Sequence, residues 1–278
     1  MIIFVLFLLL GTGYYATQIE PKSISVTRLD VVNDFVPISF NGTKIVQFSD
    51  THLGPHYSVD QLQQLVDRIN LMKPDIVVFT GDLMDNYTQF GLDNRIKAQQ
   101  VLKKIHAPLG KFAVFGNHDR GGGGSRGYKQ YMVEAGFNVL VNEVHTIRST
   151  KGENIIIAGL DDFLLGQPQV ARTLRTLREQ DFNLLLVHEP DIADQLQGYP
   201  IDLQLSGHSH GGQVRVPLLD PPVTTLLAQK YVEGLYSLPY TSKSLKLYVN
   251  RGIGTTRLPV RLFAKPELTV IQLLHQSR

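Results

Sequence analysis

From Lys44 onward the chain alternates between two periodicities. Short apolar runs read as strands buried on both faces: KIVQFS (44–49), DIVVFT (75–80), KFAVFG (111–116), NIIIAGL (154–160), NLLLVH (183–188) and IDLQLSG (201–207). Helical spacing fills the gaps. Asp60–Met72 sets Leu62, Leu65, Val66 and Ile69 on one stripe, and Asn94–Ile105, Arg126–Ala135 and Ala171–Glu179 also read as helices. After residue 212 the pattern turns to β, in QVRVP, LKLYVN and ELTVIQLL. Alternating strands and helices predict an α/β layered fold, and the β-rich tail predicts a second sheet packed on the first.

The N-terminus follows a different pattern. Met1–Leu10 is MIIFVLFLLL, and no charge appears before Glu20. An apolar run near nineteen residues is long enough to cross a bilayer of about 30 Å. Residues 1–19 therefore read as an uncleaved transmembrane signal anchor, since a charged n-region and an A-x-A-like cleavage site are both missing. Residues 20–40 read as a linker that leads into a first strand or two, and 41–278 as one large folded domain. Few basic residues stand close behind the span, so the expectation is a single-pass membrane protein with its domain outside the cytoplasm.

Composition adds exclusions. With 278 residues, 43% of them apolar, the chain is long enough for one large domain with a substantial core. There are no cysteines, which removes disulfides, thiolate metal sites and a cysteine nucleophile. The formal charge of +2 and the lack of an obvious stacking platform argue against nucleic acid as a partner.

The chemistry lies at the strand ends. Successive strands run into Asp50-Thr51-His52, Gly81-Asp82, Gly116-Asn117-His118-Asp119, His188-Glu189-Pro190 and Gly207-His208-Ser209-His210-Gly211-Gly212. In open α/β sheets, sites form beyond the carboxyl ends of strands, so these groups should converge. Taken alone, Asp-x-His and Gly-Asp are ordinary turns or caps. As an ordered set they supply carboxylates, one amide and five imidazoles, too many for one ion. His208 and His210, two apart, would serve two ions more easily than one. Two ions sharing a carboxylate would clamp a phosphoryl group and activate water. The glycine run Gly121–Gly124 directly after the third motif reads as a loop at the rim of the site.

This order, Asp50-x-His52, Gly81-Asp82-x-x-Asp85, Gly116-Asn117-His118-Asp119, His188, Gly207-His208-x-His210, resembles the calcineurin-like metallophosphoesterase superfamily over about residues 44–274. The tail motifs Asn250-Arg251-Gly252-Ile253-Gly254, Leu258-Pro259-x-Arg261 and Pro266-Glu267, with Gly212-Gln213, are similar to its bacterial membrane-associated branch. That branch resembles enzymes cleaving UDP-diacylglucosamine and cell-wall-associated phosphoesterases. The resemblance implies a four-layer αββα sandwich of two mixed sheets flanked by helices. It implies that Asp50, His52, Asp82 and His210 hold one divalent ion (Mn, Zn or Fe) and that Asp82, Asn117, His188 and His208 hold a second, with Asp82 bridging. His118 would serve as general acid, with Asp119 orienting it. Asp85 would be structural and outside the site. Arg251 and Arg257 stand out as candidate phosphate contacts, whereas Arg120, Arg126, Lys129 and His56 read as solvated surface.

The implied activity is hydrolysis of a phosphodiester or pyrophosphate, on a lipid- or envelope-linked substrate, by metal-activated water and without a covalent phosphoenzyme. Two other readings stand beside it. One is a broad-range phosphomonoesterase or nucleotide phosphodiesterase. The other is a non-catalytic docking module on the same scaffold, against which the complete ligand set argues.

Overall fold

The computed structural model describes residues 2–121, 123–216, 219–239 and 243–277. Helix α1 (Ile2–Tyr14) leads through a wider turn to a 3-10 turn at Glu20–Lys22, and strand β1 (Ser25–Asn33) follows. The first half continues with β2 (Lys44–Phe48), α2 (Val59–Leu71), β3 (Ile76–Phe79), α3 (Leu92–Lys103), β4 (Lys111–Ala113), the single turn α4 (Asn117–Arg120), α5 (Tyr128–Glu134) and β5 (Asn138–Val139). Then come β6 (Glu143–Arg148), β7 (Asn154–Gly159), α6 (Val170–Leu174), β8 (Phe182–Leu186), β9 (Leu203–Ser206), β10 (Gly234–Pro239), β11 (Ser244–Val249) and β12 (Glu267–His275).

Two six-stranded mixed sheets result, ordered β1-β12-β2-β3-β4-β5 and β10-β11-β9-β8-β7-β6. Strand alternation sorts the apolar residues into layers. Ile45, Ile76, Val78 and Phe112 of the first sheet meet Ile155, Ile157, Phe182, Leu184 and Leu205 of the second in the inter-sheet core. On the outer face of the first sheet, Val46, Phe48, Val77 and Phe79 pack under Leu62, Leu65 and Ile69 of α2 and Leu102 of α3. On the outer face of the second, Leu185, Val187, Leu247 and Val249 pack with Leu174 and Ile192. The fold is thus the expected αββα sandwich. Helix α2 begins with a reciprocal cap: Gln61 N–H donates to Ser58 Oγ at 3.2 Å, and Ser58 N–H donates to Gln61 Oε1 at 2.9 Å.

Three features differ from the sequence reading. The segment 20–40 is not a free linker: β1 pairs in parallel with β12 along its whole length, from Ser25↔Glu267 to Asn33↔His275. The β-rich tail does not make the second sheet alone, because β12 inserts into the first sheet beside β2, while β6 to β11 build the second. QVRVP contributes one bridge, Val214↔Leu262, rather than a strand, and its Pro217 lies outside the described residues.

Ile3–Lys22 is long and apolar enough to cross a membrane. Its large side chains from Ile3 to Leu10 are exposed to solvent. Where it meets the domain it is fixed: Arg261 N–H donates to Ala16 O at 2.9 Å, and Ala264 N–H donates to the buried Glu20 carboxylate at 2.7 Å.

Candidate metal centre

Strands β2, β3 and β4 run parallel in the first sheet, and β8 and β9 run parallel in the second. The loops that leave their carboxyl ends meet at one edge of the sandwich. Asp50, His52, Asp82, His188, His208 and His210 are all buried there.

These loops are tightly bent. Asp50, His52, Asp82, His208 and His210 all have positive φ, between +43° and +68°. Non-glycine residues in this region cost about 1–3 kcal/mol each, and such strain gathers at functional sites. Two glycines permit the closeness. A Cβ on Gly116 would run into the Asp82 carboxylate, and one on Gly207 would run into Ser49 Oγ and the Asp50 carboxylate.

The donor atoms form two principal groups. Asp50, His52 and His210 each present one donor within 4.8 Å of the others, and so do Asp82, His188 and His208. The Nε2 atoms of His52 and His210 face each other at 3.1 Å. His188 Nε2 lies 3.1 Å from His208 Nδ1. Asp82 Oδ2 stands between the groups, 3.6 Å from His52 Nε2 and 3.3 Å from His188 Nε2. His208 and His210 thus fall in different groups.

Hydrogen bonds on the far side of the His188 and His208 rings fix which nitrogen of each faces inward. His188 Nδ1–H donates to Thr80 O at 2.6 Å, and His208 Nε2–H donates to Leu226 O at 2.8 Å. Asp85 Oδ1 lies 3.6 Å from His52 Nδ1. Arg261, wholly buried, donates to the carbonyls of Gly254, Ala264 and Arg251 and lies 3.5 Å from His210 Nδ1. Asn117 Oδ1 is buried and has no hydrogen-bond partner among the described residues. An orphaned acceptor beside converging imidazole nitrogens and carboxylates fits the donor set of a divalent cation.

The electrostatics are those of an anionic pocket lined by imidazoles. Burial pushes the Asp82 carboxyl up, but His188 above all, with His52 and His118, pulls it well below the usual carboxylate range. Burial works against a proton on His188, yet Asp82 and then Asp50 raise that imidazole well above its ordinary value. Burial and the neighbouring His52 and Arg261 hold His210 well below its ordinary value. Burial and His188 lower His208. Those two rings are therefore neutral, the form that ligates metal.

His118 and Asp119 do different work from each other. His118 is part-exposed on the cavity wall, and its Nδ1–H donates to Asp85 O at 2.9 Å. The Asp85 carboxylate lies 3.6 Å from the same nitrogen. Burial opposes a proton there, but Asp82, then the Asp85 carbonyl and carboxylate, raise the imidazole. Asp119 has no hydrogen bond to His118. Its carboxylate accepts from the amides of Asp82 (2.8 Å), Leu83 (3.0 Å) and Gly116 (3.0 Å) and from Tyr87 Oη (3.2 Å). His118 is thus bonded to Asp85, which sequence reasoning kept out of the site, and not to Asp119. The signal was the Gly81-Asp82-x-x-Asp85 spacing.

Of the flanking cations, Arg257 lines the donor cavity with His52, Asp82, Asn117 and His118, and it makes no ion pair among the described residues. Arg251 points away from the cavity, toward Glu267 at 3.4 Å and Ser25 at 3.1 Å. Arg120 is held by Asp161 at 2.5 Å and lies over the Phe115 ring. Lys129 pairs with Glu143 on the surface, and His56 lines a separate cavity near Thr17 and Lys22. In the glycine run, Gly124 packs against Tyr87 beside Asp119, and Gly122 lies outside the described residues.

A two-sheet sandwich with carboxylate, amide and imidazole donors at its strand ends defines the metal-dependent phosphoesterase class. The calcineurin-like phosphoesterase family model matches residues 43–212, and the chain belongs to that family of metal-dependent hydrolases. It is 44% identical over 264 residues to the uncharacterized metallophosphoesterase YkuE of Bacillus subtilis, covering 95% of this chain and 90% of that protein. It is 29% identical to the UDP-2,3-diacylglucosamine pyrophosphatase LpxG of Chlamydia trachomatis, over 95% and 94% of the two chains. It is 30% identical to the phosphodiesterase YaeI of Escherichia coli, over 83% and 82%. Among solved structures, the NAD nucleotidase NadN of Haemophilus influenzae superposes with a TM-score of 0.54 at 16% identity. The match covers 76% of this chain and 45% of that one, and it shows a shared fold.

Proposed function

We propose that this protein is a membrane-anchored, dinuclear metal-dependent phosphoesterase that hydrolyses phosphodiester or pyrophosphate bonds. The observation that carries the reading is the position of Asp82 Oδ2 between two groups of imidazole nitrogens. Asp50, His52, Asp82 and His210 would hold one ion, and Asp82, Asn117, His188 and His208 the other. Two divalent cations, Mn, Zn or Fe, supply water activation and charge neutralisation at the phosphate when bound.

The chain's own residues do the rest. Arg257 draws the phosphate anion into the cavity. His118, held at Nδ1 by the Asp85 carbonyl, has Nε2 left to give a proton. Water adds its oxygen to phosphorus and gives up a proton to solvent, the bond to the leaving oxygen breaks, and that oxygen takes the His118 proton, which solvent restores. Asp119 keeps the Asp82 and Gly116 loops in register. No side-chain nucleophile takes part.

Ile3–Lys22 serves as the anchor. The likeness to LpxG supports a lipid- or envelope-linked substrate. The scarcity of basic residues close behind the span favours a domain outside the cytoplasm. Calorimetric titration of the metal-stripped full chain with Mn or Zn should give two equivalents bound, and a single equivalent would overturn the dinuclear reading. Labelling of intact cells with an impermeant amine reagent should modify the domain, and protection until lysis would place it on the inner side.

A further inference from the structure

The donor cavity runs on into a second one. This neighbour has a volume of about 340 Å3 and shares His210, Thr224, Thr225, Thr256 and Arg257 with the first. Beyond them its walls are mainly apolar, Val214, Pro222, Val223, Leu258 and Val260, with Ser209, Gly212 and Gln213 beside them. The size falls at the small end of ligand pockets, roughly 300–1,000 Å3. Arg257 stands at the junction, with a charged side chain beside the donors and apolar walls behind it.

The surface around the pocket is apolar too. Val216, Leu219, Val223, Leu226, Leu258 and Phe263 are each at least half exposed. They lie on two segments that are tied together, because Arg215 N–H donates to Leu262 O and Leu262 N–H donates to Gln213 O. The second segment also receives the N-terminal helix, through the bonds from Arg261 to Ala16 and from Ala264 to Glu20. One stretch, 258–264, therefore forms a pocket wall, carries exposed apolar side chains and docks the helix that is long enough to cross a bilayer. A contiguous apolar patch of this kind marks a site for apolar ligand or membrane.

We propose that the second cavity is an alkyl-chain subsite. It seats one hydrocarbon chain of the substrate itself while the phosphate of that substrate lies against Arg257 among the donors. This inference rests on the phosphoesterase reading and names the part of the substrate next to the scissile phosphate. A sugar or a base would leave its polar groups unpaired against Val214, Pro222, Val223 and Val260, whereas a hydrocarbon chain loses nothing there.

The test uses the full chain in amphipol, free of lipid and detergent, loaded with Mn. The probes are p-nitrophenyl alkyl phosphates from methyl to dodecyl, below their aggregation concentrations, with bis(p-nitrophenyl) phosphate as reference. kcat/KM should rise about fourfold per added methylene until the pocket is full and then level off. In the double variant Val223→Asp with Leu258→Asp, both at exposed positions, the rise should flatten, so that the dodecyl ester gains little over the methyl ester. Equal kcat/KM for methyl and dodecyl esters, with the reference diester hydrolysed, overturns the subsite and leaves the phosphoesterase reading standing. A rise that persists in the double variant places the chain elsewhere and also overturns it. No hydrolysis of the reference diester by the wild-type chain overturns both.

Discussion

The Asp119 carboxylate accepts the backbone amide of Asp82 at 2.8 Å, so the loop after β4 fixes the loop after β3. The same carboxylate holds Leu83 and Gly116, and a Cβ on Gly116 would meet Asp82. Burial and then the charge of Asp82 push the Asp119 carboxyl up to about 7, against the pull of the amides.

Asp119→Asn puts an NH2 group where amide donors converge. The variant should lose about 2–3 kcal/mol of stability. It should also bind metal more weakly, because Asp82 is no longer held at its positive φ. Thermal unfolding with and without metal measures both, and an unchanged midpoint in the metal-free protein would contradict the role.

Metal uptake should depend on pH in one direction. Asp82 keeps His188 protonated above the ordinary imidazole range in the metal-free protein. A ligating imidazole must be neutral, so binding releases that proton. Affinity should therefore rise as the pH rises through and beyond about 6.5, levelling off above the raised value. Calorimetry in buffers of different ionisation heat counts the protons released. Affinity independent of pH between about 6 and 8 would refute the assignment.

His118 should be separable from the donors. In His118→Ala, turnover should fall by about 10²–10⁴-fold, with both ions retained. Asp85→Asn should keep the metal and lower the His118 pKa in the metal-free protein, because one of the groups holding that proton is gone. Imidazole NMR reads this directly. Loss of metal from His118→Ala would make that residue a ligand instead.

Much of this arrangement was legible because strand ends carry chemistry in sequence order. The runs KIVQF, IVVF and NLLL are buried on both faces, so the polar residues after them had to emerge at one edge. What stayed hidden depends on non-local contacts. β1 shows one face to solvent, and only its pairing with β12, 242 residues further along the chain, makes it a strand of the sheet. Arg261 stood out only within a tail motif and its role stayed hidden, because its partners are backbone carbonyls. The bond from His118 to the Asp85 carbonyl was hidden for the same reason. Adjacency to His118 in sequence pointed to Asp119, but the short turn Asn117–Arg120 directs the Asp119 carboxylate into the loop amides.

The most direct measurement is hydrolysis of bis(p-nitrophenyl) phosphate by the full chain, stripped of metal and then given Mn or Zn, with Asp82→Ala beside it. Activity should be absent without metal and recover on its addition, with neither recovery nor a paired site in Asp82→Ala. Metal-independent activity, or an Asp82→Ala variant that recovers like the wild type, would contradict the claim that Asp82 joins two metal sites.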